Sequence, residues 1–153
     1  MSTPVAPVLH AVALDVGRAR IGLAVTSPRG DQALPHSVLQ RKGTRQDIAS
    51  LQIVFAQLRP DVIVVGLPPT QLGDTEGSRG LTLRFADALR HSQLRPVVLV
   101  DEADTTVLAH QELRQLGMRA ARRRTVIDAH AAKVILDRWL LQVLPAPNAL
   151  PDP

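Results

Sequence analysis

An α/β fold with a mixed five-stranded sheet is what this chain predicts, and three observations carry the prediction. Short aliphatic runs that suit strands alternate, from residue 44 onward, with longer segments of helical periodicity. The first three runs follow one another across tight turns only, as in an antiparallel meander. The later runs are each separated by a helix, so they should return parallel to the first through right-handed crossovers.

Each element has its own signal. His10–Val16 is nearly continuous in apolar residues, which suits a strand covered on both faces. The turn Gly17-Arg18-Ala19 leads into a second strand, Arg20–Thr26, and Ser27-Pro28-Arg29-Gly30-Asp31 into a third, roughly Gln32–Gln40. Thr44-Arg-Gln-Asp47 matches a helix capping box with Asp in place of Glu. Ile48, Leu51, Phe55 and Leu58 then recur at helical spacing until Arg59-Pro60 stops the segment. Asp61–Val65 is a short β-branched strand, followed by the loop Gly66–Gly77 and a helix over roughly Ser78–His91. Pro96–Val100 is the fifth strand. Asp104 or Thr105 can cap a further helix ending at Gly117, Met118–Arg124 reads as a basic linker, and the last helix begins near Thr125. Residues 1–9 are expected to be a disordered or extended N-terminal tail and the Pro-rich residues 145–153 a C-terminal one, leaving a single domain over 10–144. The order βββαβαβ followed by helices is similar to the ribonuclease H-like layout.

Composition narrows the functions open to such a domain. At 153 residues and 45% apolar content, the chain can bury a sizeable core. The only aromatic side chains are Phe55, Phe85 and Trp139, so that core is aliphatic, and nucleic-acid binding by stacked aromatic platforms is disfavoured. There is no Cys, which removes disulfides, thiolate catalysis and Cys-ligated zinc. No apolar stretch approaches membrane-spanning length, and the start lacks the layout of a signal peptide; a cytosolic protein with no membrane partner is expected. The net charge of +4, with 16 Arg against 2 Lys, favours anionic partners.

The chemistry rests on acidic residues. Asp15 closes the first buried run, Asp101-Glu102 closes the fifth, and Asp128 opens the last helix pattern. Open α/β sheets bind ligands beyond the C-terminal ends of their strands, where the first two sites fall. Converging carboxylates are what a pair of hard divalent cations needs for phosphoryl chemistry. Each residue also has a plainer reading. Asp15 suits a β-turn held by its own loop amides, Asp101-Glu102 suits a solvated loop before Thr105 and Thr106, and Thr125-Val-Ile-Asp128 is another capping-box match. Neighbours on a strand point to opposite faces, so only one of Asp101 and Glu102 should reach Asp15. Ala131, Ala132 and Ile135 share a helix face with Asp128 and would let it approach the sheet. The histidines are scattered, and no nucleophile–base pair stands in a triad-like context.

Arg122-Arg123-Arg124 is the densest positive run and a candidate phosphate clamp, with Arg18, Arg20 and Lys42, then Arg41 and Arg45, as weaker ones. The loop holding Gly66, Pro68, Gly73 and Gly77 is rich in Gly and Pro for its length, which favours a rim contacting substrate.

These motifs together resemble the YqgF/RuvX family, Holliday-junction resolvases also linked to pre-16S ribosomal RNA processing. The resemblance covers roughly residues 10–142. Its D-x-G-x-x-R-I-G-x-A pattern is present from Asp15 to Ala24, V-G-L-P as Val65–Pro68, and E-G as Glu76-Gly77. Its D-E-R-x-[ST]-T box is similar to Asp101–Thr106 and its V-D-x-x-A-A to Ile127–Ala132, but Ala103 stands where the family has Arg. The loop after G-L-P also departs around Pro69-Thr70 and is one residue longer.

The resemblance implies a ribonuclease H-like nuclease with Asp15, Asp128 and one of Asp101/Glu102, Glu102 favoured, as its acidic residues. The expected activity is hydrolysis of phosphodiesters in junction DNA or rRNA precursor with two Mg²⁺ or Mn²⁺ ions. Asp15 would bridge the ions, Glu102 and Asp128 would hold one each, and Thr105 and Thr106 would lie beside the substrate. A homodimer would suit two-strand cleavage. The competing readings are a non-catalytic RNA- or ribosome-associated binding protein with a vestigial acidic site, and a nucleotide-binding kinase or ATPase half, for which one such domain is too little.

Overall fold

Alternation along β1 (Ala11–Val16) divides the core in two. Ala11 and Ala13 face one side of the sheet, while Val12, Leu14 and Val16 face the other. Both sides are covered, which is why this strand reads as an unbroken apolar run. The computed structural model describes residues 9–69, 77–92, 95–102 and 120–144, with side chains in the last stretch from Ile127. Within them β1 is followed by β2 (Arg20–Thr26), β3 (Ala33–Gln40), α1 (Thr44–Leu58), β4 (Val62–Leu67), α2 (Ser78–His91), β5 (Val97–Asp101) and α3 (Ala120–Val143). The sheet order is β3-β2-β1-β4-β5. The β1–β2 and β2–β3 pairs are antiparallel, and the β1–β4 and β4–β5 pairs are parallel. The meander with parallel additions expected from the element order is the observed topology.

The two faces are packed differently. On one, Ala11, Ala13, Ala24 and Ala33 form a low floor on which α3 seats Ile135, Leu136, Trp139 and Leu140. On the other, larger strand residues such as Leu14, Ile21, Leu23 and Ile63 meet Leu51 and Phe55 of α1 and Phe85 and Leu89 of α2. Small strand side chains thus let one long helix lie close to β1, β2 and β3, which brings the face of α3 carrying Asp128 onto the sheet.

The helix starts differ from expectation. Thr44 is the first helical residue, not a cap; Gly43, at φ 133°, takes the N-cap position without a side-chain cap bond. Asp47 instead reaches back past the helix start, accepting from the Lys42 N–H at 2.9 Å and from Arg41 Nε at 3.0 Å. The last helix begins at Ala120, so residues 120–124 of the expected linker are helical and Asp128 lies two turns in, not at a capping position. Arginine and alanine are strong helix formers, and no Gly or Pro interrupts the chain between Met118 and Val143. Strand β4 runs on to Leu67, because its parallel bonding to β5 continues to the Leu67–Asp101 pair. Gly66 is therefore a strand residue, and the loop starts later than its composition suggests. The helix expected between Thr105 and Gly117 lies outside the described residues.

Candidate active site

Strand register builds a recess around Asp15. Its partner across β1–β2 is Gly22, and on the β4 side Gly66 follows the Leu14–Val65 pair. Both neighbours of the carboxylate therefore lack side chains, and both absences are used. A Cβ on Gly22 would stand 1.8 Å from the Asp128 carbonyl oxygen and 3.1 Å from the Ala129 nitrogen. A Cβ on Gly66 would stand 2.3 Å from Ile135 Cδ1 and 2.8 Å from Glu102 Oε1. Gly22 thus admits the backbone of α3, and Gly66 admits the Glu102 side chain.

Glu102 lies just beyond β5, in step with Val100 on the α3 side, and is buried at 7% exposure. Its N–H donates to Leu67 O at 2.9 Å, and the preceding carbonyl, of Asp101, accepts from Arg138 of α3 at 2.6 Å. The backbone is held from both β4 and α3, which aims Glu102 inward. Asp101 keeps the opposite parity, with Val97 and Leu99, and is exposed. Only one of the two acids enters the recess, as alternation requires, and it is Glu102.

The Asp15 and Glu102 carboxyl groups hydrogen-bond each other. Burial pushes Glu102 up to about 9, reinforced by its bond to Asp15 and by the Asp15 charge. Burial also raises Asp15, opposed by the bond from Glu102 and reinforced by the Asp128 charge. Both carboxyls are thus pushed toward the protonated form, Glu102 the one whose bond to its neighbour adds to the rise. Asp128 approaches from α3 and is bound to Arg20, whose Nε lies 2.5 Å from its Oδ2.

The donor set suits a hard divalent cation. Two carboxylates forced together away from water are stable only by sharing a proton or by sharing a cation. Among the described residues, however, no three His, Asp or Glu side chains are grouped as a ready metal cage. Asp128, paired with Arg20, is not grouped with the other two in this way.

The remaining candidates are scattered by the fold. Arg18 and Lys42 are exposed, as is Arg45. Arg41, one of the weaker phosphate candidates, is instead structural: besides Asp47 it donates to Gly17 O at 3.2 Å and to Thr44 Oγ1 at 3.3 Å, and it stacks over Phe85. It thereby ties α1 to the turn after Asp15. Gly17 needs no left-handed backbone there; it is required because a Cβ would meet Arg20 O at 2.9 Å. The Pro68 carbonyl accepts from Arg79 at 2.9 Å, and Gly77 is the N-cap of α2. Arg122, Arg123 and Arg124 belong to the first two turns of α3. Gly73, Thr105 and Thr106 lie outside the described residues. The roles of Gly22 and of Asp47 were missed from sequence, although an isolated Gly inside a strand is itself a sign of close backbone approach.

Known proteins share both the sequence and the fold. A family model described as RuvX, Holliday junction resolvase, matches residues 9–142. A Mycobacterium tuberculosis protein provisionally named a pre-16S rRNA nuclease is 39% identical over 134 residues, 87% of this chain and 79% of its own length. A Mycobacterium leprae protein of the same name is 40% identical over 140 residues, 91% and 76% of the two chains. Among solved structures, Thermus thermophilus RuvC in complex with Holliday junction substrate superposes with a TM-score of 0.59 at 15% identity, covering 91% of this chain and 99% of that one. The fowlpox virus resolvase in complex with Holliday junction DNA gives 0.57 at 8% identity, covering 90% and 100%. These likenesses establish a ribonuclease H-like fold of the RuvC type.

Proposed function

The chain belongs to the RuvX family, described as Holliday junction resolvases, and from that premise we propose that it is a divalent-metal-dependent endonuclease cutting phosphodiester bonds in structured nucleic acid. The family makes it a hydrolase acting on nucleic acid; the metal mechanism and the residue roles are our reading. Asp15, Glu102 and Asp128 would hold two Mg²⁺ or Mn²⁺ ions, with Asp101 turned away. Such a pair of ions supplies an activated water and stabilises the leaving oxygen. The observation that carries the reading is the placement of buried Glu102 beside half-buried Asp15, in a recess that Gly22 and Gly66 leave free of side chains, where a cation would relieve the crowding of the two acids.

The protein's own groups do the rest. To hold a cation, Glu102 would have to be deprotonated. The Glu102 N–H bond to the Leu67 carbonyl and the Arg138 bond to the Asp101 carbonyl keep the acid aimed at Asp15. Exposed Arg18 and Lys42, together with the Arg122–Arg124 run, would hold the nucleic-acid backbone, and phosphate contacts of this kind position substrate without reading its sequence. The substrates to compare are a ribosomal RNA precursor, which the name of the mycobacterial relatives indicates, and a four-way DNA junction. A two-fold dimer would suit the second.

The test is cleavage of both substrates by purified protein with Mn²⁺. Asp15→Asn is expected to abolish cleavage of whichever is cut, while binding affinity is kept or improved because a negative charge has left the pocket. Wild-type cleavage rates in Asp15→Asn, with contaminating nuclease excluded, would reject the assignment. The rival, a binding protein with a vestigial site, draws on the Arg20–Asp128 pair, which keeps the third carboxylate occupied. It predicts binding with no Mn²⁺-dependent cleavage by the wild type.

A further inference from the structure

We infer that Arg20 is a transferable counter-ion, holding Asp128 while nucleic acid is absent and passing to a backbone phosphate when nucleic acid binds. The inference rests on the metal-dependent nuclease reading and adds a coupling to it: Asp128 becomes available to a cation only as substrate arrives.

Two arginine–aspartate pairs in this fold show the contrast that leads to it. Arg41 and Asp47 are 9% and 2% exposed, and the Arg41 guanidinium spends all three nitrogens on Asp47, Gly17 and Thr44. That is how a structural arginine is held here. Arg20 and Asp128 are 33% and 23% exposed. Among the described residues Arg20 engages Asp128 through Nε alone, leaving its two terminal nitrogens for another oxyanion. A guanidinium presents a planar fork that suits a phosphate in bidentate fashion. A partly exposed ion pair is also weak enough to be exchanged.

Position makes the exchange consequential. Arg20 projects from β2 on the same side as Gly22, the residue opposite Asp15, so it stands at the edge of the acidic recess. Its partner Asp128 is close enough to Asp15 to act on its charge. While Nε holds Oδ2, Asp128 has one oxygen engaged and its charge balanced, which makes it a weaker cation ligand. A phosphate that draws Arg20 away frees that oxygen. Nucleic acid and divalent cation should then each tighten the binding of the other, because linkage between two ligands is reciprocal.

The test is calorimetric titration of Mn²⁺ into the full chain at fixed ionic strength. It is run alone and with a saturating phosphorothioate-substituted junction DNA or hairpin RNA, whichever binds more tightly. Asp15→Asn provides the baseline for cation held by the nucleic acid itself. Without nucleic acid, Arg20→Gln is expected to bind Mn²⁺ about two- to fivefold more tightly than wild type, the range a partly exposed ion pair commands. Nucleic acid should tighten Mn²⁺ binding in wild type and not in Arg20→Gln. Arg20→Lys, which keeps the charge but loses the fork, should retain only part of the coupling, and it serves as the readout if Arg20→Gln does not fold by its thermal melt. Equal or weaker Mn²⁺ binding by a folded Arg20→Gln would overturn the counter-ion role and leave the metal reading standing. Wild type that takes up no Mn²⁺ above the Asp15→Asn baseline would overturn both.

Discussion

Asp101 and Glu102 are adjacent in the chain and differ in everything that matters to the site. Glu102 follows Val100 in parity, is buried against α3, and bonds to Asp15, whereas Asp101 is exposed on the other side. Glu102→Gln is therefore expected to cost at least about tenfold more cleavage activity than Asp101→Asn, roughly 1.4 kcal/mol of transition-state stabilisation. Single-turnover rates for the two variants under saturating Mn²⁺ check this. A larger loss in Asp101→Asn would mean that the wrong acid has been given the role. At this scale the sequence was informative because strand alternation is a local rule. It offered Arg20 only as a phosphate contact and was silent on its pairing, since a lone arginine on a strand gives no sign of the carboxylate it will meet 108 positions later.

Helix α3 is the element on which the site depends, and its docking height is set by β2. Gly22 lies directly beneath the Asp128–Ala129 peptide, so any side chain there must lift the helix or bend the strand. Gly22→Ala is expected to destabilise the protein by about 2 kcal/mol or more, at the upper part of the range for overpacking, since the obstructing atoms are backbone. It should also lower cleavage by displacing Asp128. Urea denaturation followed by far-UV circular dichroism measures the first effect. A loss below about 0.5 kcal/mol would show that α3 slides freely on this face. The same helix shows where local reading failed. Thr125–Asp128 has the residue types of a capping box, but the Ala and Arg residues before it continue the helix, so the cap is never formed. Thr44–Asp47 failed similarly: the buried pairing of Asp47 with Arg41, which also bonds the β1–β2 turn, decided its orientation.

For the whole molecule, the paired carboxylates make stability a function of pH and metal. Glu102 has an ordinary value of 4.5 and is raised to about 9 in the fold. Between those values the folded chain binds more protons at this site than the unfolded chain, so the slope of unfolding free energy with pH is negative. The contribution is fully present below about 4.5 and is lost as pH rises through about 9. Metal-free protein should accordingly lose thermal stability across that range, and Glu102→Gln should flatten the decline. Added Mg²⁺ should raise the Tm more at pH 8.5 than at pH 5.5, because binding stabilises the native state and requires Glu102 deprotonated. Scanning calorimetry with and without chelator tests both. A Mg²⁺ effect independent of pH would remove Glu102 from the cation site.

What residue order decided was the strands and helices of the described residues, their sequence, and the parity that selects Glu102. Those follow from short-range periodicity and from the handedness of parallel crossovers, which leave few arrangements for βββαβαβ. The order of motifs also carried the family, because they fall in sequence along most of the chain. Tertiary structure decided the rest. It turned Gly66 from a loop residue into the space for Glu102, and Gly22 into the seat of α3. It set Arg20 on Asp128 and buried Arg41 on Asp47. All of these are contacts between elements distant in the chain. Their energies depend on burial and on which charges share it, and neither is defined until the sheet and its helices have closed around Asp15.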